Sequence, residues 1–175
     1  MINRSTLHLY TGIKLKFTCP LIAVNDLETS KEFYEKVLGQ KIVLDLGWNV
    51  TFDGSFAIQL NFADIVSVDK SSVMKRSHNF ELYFEEDDFD YFIEHLRTFD
   101  DIEYVHPPKK HDWQQRVVRI YDPDKHIVEI GESMAVIARR FLDEGKSIEE
   151  TAKLIQHPID FIKAVSCDRE RKKAD

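Results

Sequence analysis

The sequence predicts an α+β fold: two βαβββ modules, one after the other, with a helical appendage at the C-terminus. Three observations carry this. Residues 17–39, FTCPLIAVNDLETSKEFYEKVLG, read as an apolar run, a break at Asn25-Asp26, and an amphipathic helix stopped by Gly39. Residues 79–96, NFELYFEEDDFDYFIEHL, repeat that order around a break at Asp87-Asp88. Each unit is followed by further strand-like runs, and beyond Ser133 the pattern becomes helical. A repeat of this length implies two copies of one supersecondary unit burying their cores against each other. Function is then expected where the copies meet.

The elements follow in order. Residues 1–15 are a lead-in with no counterpart in the second copy. Residues 15–24 read as a strand rich in β-branched and aromatic residues, with Pro20 confined to an edge or bulge. Asp26 is placed to cap a helix over 27–38, whose apolar stripe is Leu27, Phe33, Tyr34, Val37 and Leu38. Gly39 supplies the left-handed stop. Strands are expected over 41–46, 48–52 and 56–62, the last two joined by the Asp53-Gly54 turn. Residues 63–77 are read as a polar connection.

In the second copy, Phe80, Leu82 and Phe84 alternate with Glu81, Tyr83 and Glu85. Asp88 caps a helix to about Thr98, and 102–105 is a short strand closed by Pro107-Pro108 and followed by a basic loop to Asp112. Strands over 113–121 and 126–131 are joined by the turn Asp122-Pro123-Asp124-Lys125. Helices are then expected over 135–142, from the capping box Ser147–Glu150, and from Pro158, with a frayed charged tail from Cys167.

Composition narrows the functional classes. With 175 residues the chain can bury a real core as one domain of two fused halves. A net charge of −7 argues against nucleic acid as a partner and is compatible with a cationic ligand. No apolar run approaches the roughly 20 residues of a membrane helix, and no signal-peptide pattern opens the chain. Cys19 and Cys167 make no disulfide framework, so a cytoplasmic protein is expected. The seven histidines form no HExxH pattern.

The segments LIAVNDLETSKEFYEKVLG, DGSFAIQL and DPDKHIVEIGE, with Trp113 to Arg116 matching a WxxR pattern, resemble the vicinal oxygen chelate superfamily. This group includes glyoxalase I, bleomycin-resistance proteins, fosfomycin-modifying enzymes and extradiol dioxygenases. The resemblance covers residues 16–132, as module one over 16–62 and module two over 79–131, leaving 133–175 as C-terminal helices and tail. It implies paired βαβββ modules around a pocket. It also implies a metal site fed by the first and last strand of each module. Carried over by position, those ligands are Cys19, Gln59, Glu81 and Glu129, of which Glu129 stands where the family has its glutamate. Two glycines of the family pattern are replaced, by Gln114 after the tryptophan and by Lys125 in the DPD turn.

Each site residue has a plainer reading beside the functional one. The four ligands include no histidine, which argues against the two-His, one-carboxylate iron site of a dioxygenase. They could take Zn²⁺ or Ni²⁺, and no organic cofactor is implied. Cys19 also fits a small half-buried hydrophobe and Gln59 a hydrogen-bonding partner. Glu81 is either solvent-facing or shares a pocket with Glu129, where the two carboxylates must share a proton, meet an arginine or hold a cation. Trp48, Tyr83 and Trp113 suit aromatic pocket walls or core packing. Arg116 is a candidate for binding substrate, although Arg119 lies on the opposite face of the same strand and either could point inward.

The resemblance therefore implies a glyoxalase-type lyase or isomerase, with Glu129 or Glu81 moving a proton on a small α-hydroxycarbonyl or thiol adduct. The alternative is a non-catalytic protein, possessing the same cavity, that sequesters an antibiotic or toxin. A homodimer and a small-molecule partner are expected, with no membrane. A DNA-binding role for residues 147–165 fits less well, because the second helix, IDFI, is apolar and acidic.

Overall fold

The computed structural model describes residues 14–174, with side chains through Asp168; most of the lead-in lies outside them. The first module comprises β1 (Leu21–Val24), α1 (Leu27–Glu32, prolonged by a π-helical turn over Phe33–Val37), β2 (Ile42–Asp45), β3 (Asn49–Phe52) and β4 (Ala57–Leu60). A short helix, α2 (Phe62–Val66), and a 3-10 turn, Lys70–Ser72, follow. The second module comprises β5 (Glu81–Glu86), α3 (Phe89–Leu96), β6 (Tyr104–Lys110), β7 (Arg116–Tyr121) and β8 (Ile127–Glu132).

The two four-stranded sheets share one topology, β1-β4-β3-β2 and β5-β8-β7-β6. In both, the first strand runs parallel to the last and the other neighbours are antiparallel. The predicted repeat is thus present strand for strand. Asp26 and Asp88 cap their helices as expected, accepting from the Thr29 and Tyr91 amides at 2.8 and 3.0 Å.

Strand alternation decides how the modules meet. Ile22, Val24, Val50, Phe52 and Ile58 of the first sheet join Leu82, Val118, Ile120, Val128 and Ile130 of the second in one core. Tyr34, Phe89 and Leu96 from the helices complete it. The sheets therefore pack through their helix-bearing faces, and the faces of opposite parity turn away from the junction. Clefts of about 290 and 280 Å³ lie between the modules. Neither is lined by Glu81 or Glu129, the carboxylates the sequence nominates.

Polar groups fasten the junction. The Tyr34 hydroxyl donates to Asp122 at 2.9 Å, and Asp122 also accepts from the His126 amide at 2.8 Å. Burial, reinforced by the Asp122 carboxylate, pushes the Tyr34 phenol well above its ordinary pKa, so it remains a donor. Asn25 donates its backbone amide and its side chain to Asp124. The DPDKH motif is thus a clasp between modules.

Several boundaries differ from the sequence reading. The first strand starts at Leu21 instead of residue 15, and α2 occupies the stretch read as connection. β6 runs through Pro107 and Pro108. As the edge of its sheet, with its register shifted on both sides of His106, it needs no amide from either proline. Gln114 and Lys125, the two glycine replacements, both hold φ of 72°, the left-handed region where a side chain is strained.

The appendage consists of α4 (Met134–Asp143), α5 (Ile148–Ile155) and α6 (Ile159–Ala174). The capping box is formed: Ser147 and Glu150 each accept from the other's amide. α6 continues helically through the stretch expected to fray. Leu142, Ile155 and Ile162 are buried among the appendage helices, with Phe141, Leu154 and Phe161 at the margin. They build a second core with Met134, Ile137 and Val165, against which Trp113 of the second module packs.

Candidate functional site

The free face of the second sheet carries the charged site. Glu129 of β8 lies between Tyr83 of β5 and Arg119 of β7 in the strand register. Glu81 is two residues before Tyr83, hence on the same face. Arg119 joins the two carboxylates. Its Nε donates to Glu81 Oε2 at 2.9 Å, and its Nη2 forms an ion pair with Glu129 Oε2. Its Nη1 meets His106 Nε2 at 3.1 Å. His106 Nδ1 is 2.8 Å from the Pro107 carbonyl. A guanidinium cannot accept and a carbonyl cannot donate, so these contacts place the imidazole proton on Nδ1.

Exposure differs across this group. The Glu129 side chain is 8 % exposed and that of Glu81 41 %, so the site opens at the Glu81 end. A carboxylate as buried as Glu129 costs several kcal/mol (~3–5) if left unpaired. Arg119 supplies the pairing.

A second set of hydrogen bonds ties this face to the appendage. The Tyr83 hydroxyl donates to Glu85 at 2.8 Å and accepts from Gln115 Nε2 at 2.7 Å. Gln115 also donates to the Glu132 carbonyl, and its Oε1 accepts from Trp113 Nε1 at 2.9 Å. Gly131 makes room, since a Cβ there would lie 2.5 Å from Gln115 Nε2. Burial is the main cause that pushes the Tyr83 phenol up to about 12, so near neutral pH it is a donor and not a base. His111 stacks on Trp113 with ring centroids 4.1 Å apart, and burial pushes its pKa down.

The predicted site residues divide. Glu81, Glu129, Tyr83 and Trp113 are all brought to this side of the second module. Arg116 is not: it lies over the Phe89 ring and pairs with Glu132 and Asp90, on the helix side. Trp48 is half-exposed on the first module. Cys19 precedes β1 and is half-buried. Gln59 spends its amide on the first module, accepting from Asn49 and donating to the Trp48 and Leu60 carbonyls. Its place in the repeat also differs. Leu21 pairs with Ala57 and Tyr83 with Glu129, so Ala57 is the counterpart of Glu129, and Gln59 that of Gly131. Sequence reasoning missed Gln115 and His106 and left Arg119 open. The signal for Arg119 was the register of the last two strands, which alternation alone does not supply.

Residues 17–135, more than half of the chain, match the glyoxalase-like domain family. The chain belongs to that family. With it comes membership of the vicinal oxygen chelate superfamily inferred from the motifs. A crystal structure of a protein of unknown function from Agrobacterium tumefaciens is 36% identical with a TM-score of 0.60, covering 71% of this chain and 98% of that one. The fosfomycin resistance protein FosX from Mesorhizobium loti is 22% identical, with a TM-score of 0.52 over 74% of this chain and 99% of its own. Lactoylglutathione lyase from Agrobacterium tumefaciens is also 22% identical, with a TM-score of 0.51 over 69% of this chain and 96% of its own. The last two show the shared fold. No curated protein matches.

The metal site that glyoxalase-like proteins suggest does not fit this chain's donors. The expected set spans both modules, and Gln59 is already hydrogen-bonded on its own sheet, its Oε1 to Asn49 and its Nε2 to the Trp48 and Leu60 carbonyls. Glu81 and Glu129 already share a guanidinium. Among the described residues, no group of three or more His, Cys, Asp or Glu side chains is arranged to hold a metal ion. No helix among them is long and apolar enough to cross a membrane.

Proposed function

We propose that this glyoxalase-like protein binds a small organic molecule on the free face of its second sheet, as a sequestering protein. The observation that carries this reading is the Glu81–Arg119–Glu129 group set on an open face beside the half-exposed Tyr83 ring. Such a face offers an aromatic contact and an acidic rim, which suit an aromatic cation. Lyase chemistry would need Glu129 or Glu81 to move a proton next to a metal-polarised oxygen, and within one chain the described residues do not bring a donor set for that metal together. A second copy of the chain, laid over this face, would convert it into an enclosed cavity, which is the role we assign to the expected homodimer.

The test uses metal-stripped full-length protein in a Trp48→Phe background, leaving Trp113 as its single tryptophan. Titration with tyramine and related aromatic amines should quench Trp113 fluorescence saturably, and Tyr83→Ala or Glu81→Ala should abolish the response. Turnover of the methylglyoxal–glutathione hemithioacetal by protein supplied with Ni²⁺ or Zn²⁺ would replace this reading with that of a lyase.

A further inference from the structure

Arg119 stands where a bound cation would have to stand to satisfy Glu81 and Glu129. Its Nε and Nη2 face one carboxylate each, and its Nη1 is fixed by His106, itself anchored on the Pro107 carbonyl. We infer that Arg119 is a built-in cation that excludes divalent metal from this pair of carboxylates and makes the face metal-independent.

The reasoning is one of competition. A metal ion reaching Glu129 must displace a charge tethered to the neighbouring strand, which acts at intramolecular concentration. It must then sit beside that displaced guanidinium, a like charge in a partly buried place where repulsion is poorly screened. The first module shows that the scaffold itself needs no charged pair here. Thr51 and Ala57 oppose each other in its strand register as Arg119 and Glu129 do in the second. Ala57 is nevertheless fully buried. Arg119 and Glu129 therefore act as a matched set, in which the cation is covalent to the chain. The inference does not depend on which molecule the face binds, because its readout is metal and not ligand.

The experiment compares untagged, EDTA-treated wild type with Arg119→Met. Each is dialysed against Zn²⁺, Ni²⁺ or Mn²⁺, analysed for bound metal by mass spectrometry, and melted with and without the ion. Wild type should stay substoichiometric, with an unchanged melting temperature. Arg119→Met should take up metal with an apparent affinity raised about tenfold or more, as expected for removing an opposing charge at contact distance. Adding Glu129→Gln to that variant should abolish the uptake, which separates this site from capture by Cys19. Stoichiometric metal in wild type that Glu129→Gln removes would overturn the inference. So would a folded Arg119→Met that takes no metal. If Arg119→Met fails to fold, Arg119→Gln serves in its place, and added metal must then restore folding in one of the two. Both variants remaining unfolded with metal would also overturn the inference, because a metal able to replace the lost cation should rescue them.

Discussion

The two sheets of this chain have the same strand order and differ in what stands at three matching positions. In the second, Glu81, Arg119 and Glu129 form a charged group. In the first, the corresponding positions are Thr51 and Ala57, paired in register, and Cys19 ahead of β1, all uncharged. Their polar neighbours Asn49 and Gln59 bond to each other and to the backbone. The fold therefore tolerates either chemistry at this place. In the charged version, Arg119 pairs with both carboxylates and so offsets the cost of burying Glu129.

The sharpest way to break the comparison is to transplant one charge. Ala57→Glu puts a carboxylate on the first sheet with no guanidinium opposite, and should lower stability by ~3–5 kcal/mol in urea titrations. Adding Thr51→Arg should recover part of that loss, with a favourable coupling in the double-mutant cycle. Glu129→Gln should cost less, ~1.5–3 kcal/mol, because Arg119 keeps Glu81. An Ala57→Glu protein as stable as wild type would remove the distinction between the sheets.

A smaller effect concerns Glu132, at the end of β8. Burial pushes its carboxyl up, but Arg116 and Arg140 together outweigh that and hold it below its usual value of 4.5. The folded chain thus releases this proton more readily than the unfolded one. The stabilisation is complete above about pH 4.5 and is lost as pH falls through the lower folded value. Glu132→Gln should be less stable at neutral pH and show a flatter acid limb in melting temperature against pH. An unchanged acid limb would mean that the arginines do not act through this carboxylate.

The smallest effect is where the modules agree. Asp26→Ala and Asp88→Ala each remove one helix cap, and each should cost ~1 kcal/mol. Markedly unequal losses in chemical denaturation would show that the two helix starts, alike in geometry, differ in load.

What could be read beforehand was whatever depends on local order. The repeat, the caps at Asp26 and Asp88, the Ser147–Glu150 box and Glu129 all announce themselves through spacing of a few residues. α2 did not, because five residues between two left-handed positions, Asn61 and Ser67, leave no periodicity to detect. β6 is legible only as the short strand over 102–105, because prolines ordinarily end a strand and only its place at a sheet edge lets it continue. The face taken by Arg119 and the true counterpart of Glu129 depend on pairing between strands far apart in sequence. A single sequence does not contain that register. Cys19 and Gln59 were nominated by position in a family pattern, and position says nothing of whether a side chain is already bonded elsewhere.

The clasp between Tyr34 and Asp122 bears on inheritance as much as on stability. Asp122 is fully buried, and the phenol that satisfies it comes from the other half of the chain. A recombination event that exchanged one half for a stranger's would leave that buried carboxylate with only its His126 contacts, beside Asp124 stripped of Asn25. Two halves that look like interchangeable copies are thereby bound to be passed on together.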